Sequence, residues 1–184
     1  MSLATWPTLR VSDVTNIVLV GVPGAGKTTV GRLLGQALER PFFDSDFEIE
    51  RLAGKTVSEI FTQDGEQTFR DLEATVIADL LKGDGKVLSL GGGALLNQDT
   101  RRLVANSQTI WLVANLAKAV SRVGLNRNRP LLLGNVRGQL ADLMQAREPL
   151  YREVAKHQVE TSELTPDEVV AEIMKSMNSS QAGL

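Results

Sequence analysis

The chain of 184 residues contains no cysteine, so it has no disulfide framework, no thiolate nucleophile and no cysteine-ligated zinc; a reducing compartment suits it better than secretion. A single histidine, His157, rules out a multi-histidine metal centre. No apolar run approaches the roughly 18 residues of a membrane span, and 42% apolar with 23% charged residues is the composition of an ordinary globular domain. Neither sign of charge dominates. Twenty Lys and Arg against 22 Asp and Glu leave a net charge of −2, too balanced to hold nucleic acid by bulk neutralisation of phosphate. Any anion must be met by a local site. Residues 1–15 lack the apolar core of a signal peptide and read as a loose extension, so the chain is expected to be cytoplasmic.

A length slightly above the ~150 residues of a typical domain predicts one domain with one sizeable core. Short apolar runs at 16–20, 41–43, 86–90, 109–113 and 158–161 alternate with segments of helical period at 26–39, 46–81, 100–105, 116–123, 136–154 and 166–177. That alternation predicts βαβ units: an α/β three-layer sandwich with a five-stranded parallel sheet. The domain is expected over 16–178 with a tail at 179–184. GLNRNRPLLLG, residues 124–134, interrupts the pattern with two arginines and a proline, and reads as a loop that closes as a lid.

GVPGAGKT at 21–28 fits G-x-x-x-x-G-K-[ST], and it stands between the strand-like NIVLV and the helical TTVGRLLGQALE. Gly21, Gly24 and Gly26 allow positive φ, so that successive N–H groups turn inward as an anion nest at a helix N-terminus. Such a loop suits a polyphosphate. Gly24, Ala25, Gly26, Lys27, Thr28 and Thr29 are the expected nucleotide-binding residues, with the Lys27 ammonium on the β/γ-phosphates and the Thr28 hydroxyl on Mg²⁺. No N-K-x-D guanine signature occurs, and a large ATPase has little room, which leaves a small phosphotransferase with a second, acceptor pocket.

Five further segments are candidates for that pocket and its surroundings. In PFFDSDFEIE, Asp44 and Asp46 fall where a strand ends and a helix begins, at the edge where ligands of open α/β sheets bind. Asp44 could serve the magnesium shell and Asp46 the acceptor hydroxyl, or Asp44, Ser45 or Asp46 could simply cap the helix. In GEQTFRDLE, Arg70 could bind a carboxylate bidentately or pair with Glu66 on the helix surface. The run Gly91, Gly92 and Gly93 suggests backbone approaching a ligand closely, although a tight turn would also use glycine. Arg127 and Arg129 in the loop, and Arg147 and Arg152 in AREPLYR, are candidates for neutralising phosphoryl charge or are solvated side chains.

GVPGAGKTT, FFDSDFEIE, GEQTFRDLE, LSLGGGA, RNRPLL and REPLYREVA follow one another as in the shikimate kinases, and from about 16 to 175 the chain resembles that family. The resemblance implies a nucleoside-monophosphate-kinase-like P-loop fold with strand order 2-3-1-4-5. It also implies MgATP-dependent phosphorylation of the shikimate 3-hydroxyl, on the chorismate route to aromatic amino acids. By position, Asp46 resembles the aspartate that holds the acceptor hydroxyls and acts as base. Arg70 and Arg147 resemble the two arginines on the shikimate carboxylate, and Gly91, Gly92 and Gly93 the glycines lining that pocket. Asp44 resembles the magnesium-shell aspartate and Arg129 the lid arginine on the ATP phosphates, which with Lys27 and Asp46 completes the catalytic set. Arg122 matches an arginine that stacks on adenine, and Pro166 the loop at the adenine edge. The implied partners are shikimate and ATP, with no nucleic acid, no membrane and a monomeric enzyme. The alternatives are a P-loop kinase of another hydroxy acid such as gluconate, or a non-catalytic nucleotide-binding paralogue; loss of Lys27, Asp46 or Arg147 would mark the latter, and all three are present.

Overall fold

A computed structural model of the chain describes residues 15–124 and 135–181. Five strands form one parallel sheet in the order β2-β3-β1-β4-β5: β1 Ile17–Val20, β2 Phe42–Asp44, β3 Val87–Ser89, β4 Gln108–Val113 and β5 His157–Glu160. Every residue of β1 is buried. Successive strand residues point to opposite faces, so an unbroken apolar run such as IVLV belongs to a sheet covered on both sides. The three-layer expectation is met. Strands β2 and β5 lie one residue away from the expected spans.

The helices are α1 Lys27–Ala37, α2 Ser45–Ala53, α3 Val57–Glu59, α4 Glu66–Leu80, α5 Gln98–Val104, α6 Leu116–Gly124, α7 Val136–Val154 and α8 Pro166–Gln181. Helix α1 packs on β2, β3 and α8, whereas α7 packs on β4 and α6. A Cβ at Gly31 of α1 would fall 2.3 Å from the Phe42 ring, so glycine there, unfavourable in a helix by ~1 kcal/mol, admits the β2 aromatic against the helix axis.

The helical stretch 46–81 is divided. Gly54 ends α2 at φ 64°, Thr56 and Glu59 form a capping box for α3, and a π-helical turn Ile60–Asp64 leads to Gly65 at φ 91° before α4 begins. Ile49, Ile60, Phe69 and Val76 form a small core of their own under these pieces. This subdomain can therefore hold its shape beside the sheet, and it carries Arg70 and Glu73. At the far end α8 continues to Gln181, beyond the helical stretch expected to end at 177: NSSQ contains no breaker, and Ser179 Oγ donates back to the Lys175 carbonyl.

All five strands end at one edge. Asp44, Ser89 and Leu19 pair across β2, β3 and β1. The P-loop, the Asp44–Asp46 turn and the glycine run therefore leave the sheet side by side, where ligands of open α/β folds bind.

Candidate active site

The phosphate-binding half follows from backbone conformation. Gly21, Gly24 and Gly26 have φ of 146°, 83° and 95°, and Gly26 caps α1 with no side-chain hydrogen bond to its first turn, whose N–H groups face the loop. Gly24 is doubly constrained, because a Cβ there would stand 2.6 Å from the Ala119 carbonyl oxygen. The Lys27 ammonium is buried in the loop and donates to the carbonyls of Gly21 at 2.8 Å and Val22 at 3.1 Å.

Thr28 Oγ1 donates to Asp44 Oδ2 at 2.7 Å, while Asp44 Oδ1 accepts from the Asp46 N–H at 3.1 Å. Asp44 does cap the helix: one carboxylate oxygen caps α2, and the other meets the P-loop hydroxyl. A hydroxyl and a carboxylate together beside a phosphate nest are hard oxygen donors of the kind Mg²⁺ takes, the remaining positions being left to phosphate and water. Among the described residues no group of three or more His, Cys, Asp or Glu could hold a metal ion by itself, and a site of this shared kind needs none.

Arg122 reaches from α6 to both walls of the nucleotide side. Its Nη1 donates to the Gly24 carbonyl at 3.2 Å and its Nη2 to the Thr161 carbonyl at 3.0 Å. Thr161, buried after β5, donates from Oγ1 to the Val113 carbonyl at 2.9 Å. The P-loop is thereby tied to the segment that carries Leu164 and Pro166. Thr161 has no counterpart in the sequence reading, since nothing local distinguishes this threonine.

The acceptor half is built around the three glycines, each of which leaves room for a charged neighbour. A Cβ on Gly91 would lie 2.7 Å from Asp46 Oδ1 and 2.8 Å from Glu73 Oε1; on Gly92, 3.3 Å from Arg147 Nη1; on Gly93, 2.7 Å from Arg70 Nη1. Close approach, not turn geometry, explains the run: none of the three has positive φ. Ser45, between the two aspartates, accepts the Gly91 N–H on its Oγ at 2.9 Å and so fixes the wall to the start of α2. Ser45 is expected from the sequence only as a possible helix cap; Asp44 is the cap instead, and Ser45 serves the glycine wall.

Arg70 makes the surface pair with Glu66 at 3.2 Å and also a 2.6 Å pair with buried Glu73. Its guanidinium lies over the rings of Phe61 and Phe69, and Phe69 itself is core. Burial pushes the Glu73 carboxyl up, against the pull of Arg70, and the charge of Asp46 pushes the same way as burial. Arg147 is 7% exposed and, among the described residues, has no ion-pair partner. Its charge reaches the Glu73 carboxyl without forming an ion pair, and a buried guanidinium placed so is suited to take an anion, because a buried charge is costly until it is paired. Arg152 is different. It lies on the surface, paired with Glu148 at 2.7 Å and stacked over Trp111, away from the site.

A cavity of about 340 Å³ is lined by Gly26, Lys27 and Thr28, by Asp44 and Asp46, by Gly91 and Gly92, and by Arg122 and Pro166. Gly93, Arg70 and Arg147 adjoin it through the glycine wall. Arg127 and Arg129, with the lid expected at 124–134, lie outside the described residues apart from Gly124.

The shikimate kinase family model matches residues 23–178. The chain belongs to the shikimate kinase family. Shikimate kinase of Thermobifida fusca is 50% identical over 160 residues, which cover 87% of this chain and 93% of that one. The structure of shikimate kinase from Acinetobacter baumannii in complex with shikimate superposes with a TM-score of 0.88 at 39% identity, covering 91% of this chain and 94% of that one. A gluconokinase from Sinorhizobium meliloti gives a TM-score of 0.59 at 18% identity over 90% of this chain and 93% of that one, a likeness of fold alone.

Proposed function

We propose that this protein transfers the γ-phosphoryl group of MgATP to the 3-hydroxyl of shikimate, with Asp46, Arg70 and Arg147 as the acceptor site. The observation that carries this reading is the convergence of two guanidinium groups and a carboxylate on one wall of glycines at the end of the P-loop cavity. A carboxylated polyol needs such a set: cations for its carboxylate, a proton acceptor for its hydroxyl, and a wall without side chains that lets the ring come close.

In this mechanism Asp46 accepts the proton of the 3-hydroxyl as its oxygen bonds to the γ-phosphorus, while the bond between that phosphorus and the β–γ bridging oxygen breaks and ADP leaves. Lys27 and the N–H groups at the start of α1 stabilise the charge on the phosphates. Thr28 and Asp44 would hold Mg²⁺, which supplies charge neutralisation on the β- and γ-oxygens when bound. Arg70 and Arg147 hold the shikimate carboxylate, Glu73 keeps Arg70 in place, and Gly91, Gly92 and Gly93 line the ring. Gly24, Ala25, Gly26 and Thr29 complete the phosphate site, Arg122 and Pro166 border the adenine, and Arg129 neutralises phosphate charge from the lid. Little covalent chemistry falls to the protein, so positioning and exclusion of water account for the catalysis.

The same reading makes the protein a cytoplasmic, monomeric enzyme of aromatic amino acid biosynthesis, with shikimate and ATP as small-molecule partners and no need of nucleic acid or membrane. Among the described residues no helix is long and apolar enough to cross a membrane. ADP release coupled to a reporter, with MgATP and shikimate, gluconate or no acceptor, tests the assignment. Release is expected to depend on shikimate; release equal with gluconate, or equal without acceptor, contradicts it.

A further inference from the structure

Helix α7 carries Arg147 and, four residues on, Tyr151, the only tyrosine of the chain. Residues at this spacing lie on one helix face, and both are buried, Tyr151 at 1% exposure. The phenol hydroxyl donates to the Gly92 carbonyl at 2.7 Å, and the Arg147 guanidinium is close enough for its charge to act on the phenol. A phenol has one proton to give and lone pairs with which to accept. Here it gives to the glycine wall, and the arginine is the cation beside its oxygen. Gly92 closes the triangle, since the place a Cβ would take there is 3.3 Å from Arg147 Nη1.

The ring itself is held. Its centroid is 6.0 Å from that of Trp111 on β4, and Arg152 covers the Trp111 ring from outside. Pro149 stands between the two residues and has no N–H, so α7 lacks one backbone hydrogen bond in the turn where Arg147 must be steady. The phenol supplies a fixed point there.

We propose that Tyr151 is a positioning residue: its hydroxyl fixes the Gly92 carbonyl and the Arg147 guanidinium relative to one another, so that the acceptor carboxylate meets a clamp already in place on the glycine wall. This rests on the reading of Arg147 as that clamp. Burial pushes the phenol up to about 12 against the opposing effect of Arg147, so the proton stays on the oxygen near neutral pH and the bond to Gly92 persists.

Tyr151→Phe keeps the ring and removes only the hydroxyl. The shikimate KM is expected to rise about three- to tenfold, the effect of one hydrogen bond, with the ATP KM unchanged and kcat altered less than KM. In an Arg147→Ala background the same substitution is expected to change the shikimate KM little, because its effect passes through the guanidinium. An unchanged shikimate KM in Tyr151→Phe, or an equal rise in both backgrounds, overturns the inference. An ordinary shikimate KM in Arg147→Ala alone overturns the clamp reading beneath it and the inference with it. The unsubstituted protein gives a second readout through its single tyrosine. With ¹³C at the ring ζ carbon, shikimate is expected to shift the one tyrosine resonance and ADP alone to leave it in place; a resonance indifferent to shikimate overturns the proposal.

Discussion

Asp46→Asn is expected to lower kcat by about 10²-fold or more, the contribution of a positioned general base, while MgATP binding stays near normal. The asparagine amide keeps the size of the carboxyl group but cannot take up a proton. The start of α2 stays in place, because Asp44 caps it through the backbone N–H of residue 46 and not through its side chain. Steady-state kinetics with a separate titration of nucleotide binding measures both quantities. Near-normal turnover would move the proton acceptor elsewhere, and the neighbouring carboxylate is Glu73, which shares with Asp46 the space beside Gly91. Glu73 is poorly suited to that role in one respect: it is already engaged with Arg70 at 2.6 Å.

The second large effect concerns the acceptor carboxylate. Arg147→Ala is expected to raise the shikimate KM by about two orders of magnitude, in keeping with the roughly 2–4 kcal/mol lost when a buried charged hydrogen bond is removed. The ATP KM should change little, since Arg147 adjoins the cavity behind Gly92 and does not line its phosphate end. Arg70 cannot make up the loss. Glu66 and Glu73 already draw on its charge, whereas Arg147 has no ion-pair partner among the described residues. Initial rates over a range of shikimate concentrations check this, and an unchanged KM would place the clamp elsewhere.

Much of this site is readable from the sequence because its signals are local. The P-loop is one continuous segment whose glycines must adopt positive φ, and Gly21, Gly24 and Gly26 do so. The glycine run at 91–93 is readable for a related reason: three in succession imply crowding, and the crowding groups are the charged side chains of Asp46, Glu73, Arg70 and Arg147. In two places the ordinary local contact is made and the side chain makes a second one besides. Asp44 caps a helix and meets Thr28; Arg70 pairs with exposed Glu66 and with buried Glu73.

What the sequence hides is apposition across long separations. Ser45 meets Gly91 only because β2 and β3 end side by side, and Arg122 meets Thr161 only because β4 and β5 do. The close fit of Gly31 to Phe42 is likewise invisible until α1 is laid on β2. Arg147 and Arg152 illustrate the limit most clearly. They share one short basic segment, yet helical rotation buries the first beside Gly92 and leaves the second on the surface against Glu148. Only the direction of the α7 face toward the sheet edge separates them, and that direction is a property of the packed domain.

The central claim is that one cavity holds the nucleotide phosphates at the P-loop and the acceptor against the glycine wall. A crystal structure of the protein with shikimate and MgADP tests it most directly. The account predicts the shikimate carboxylate on Arg70 and Arg147 and the 3-hydroxyl within hydrogen-bond distance of Asp46, facing the P-loop. A shikimate carboxylate bound at Lys27, or a 3-hydroxyl turned away from Asp46, would contradict it.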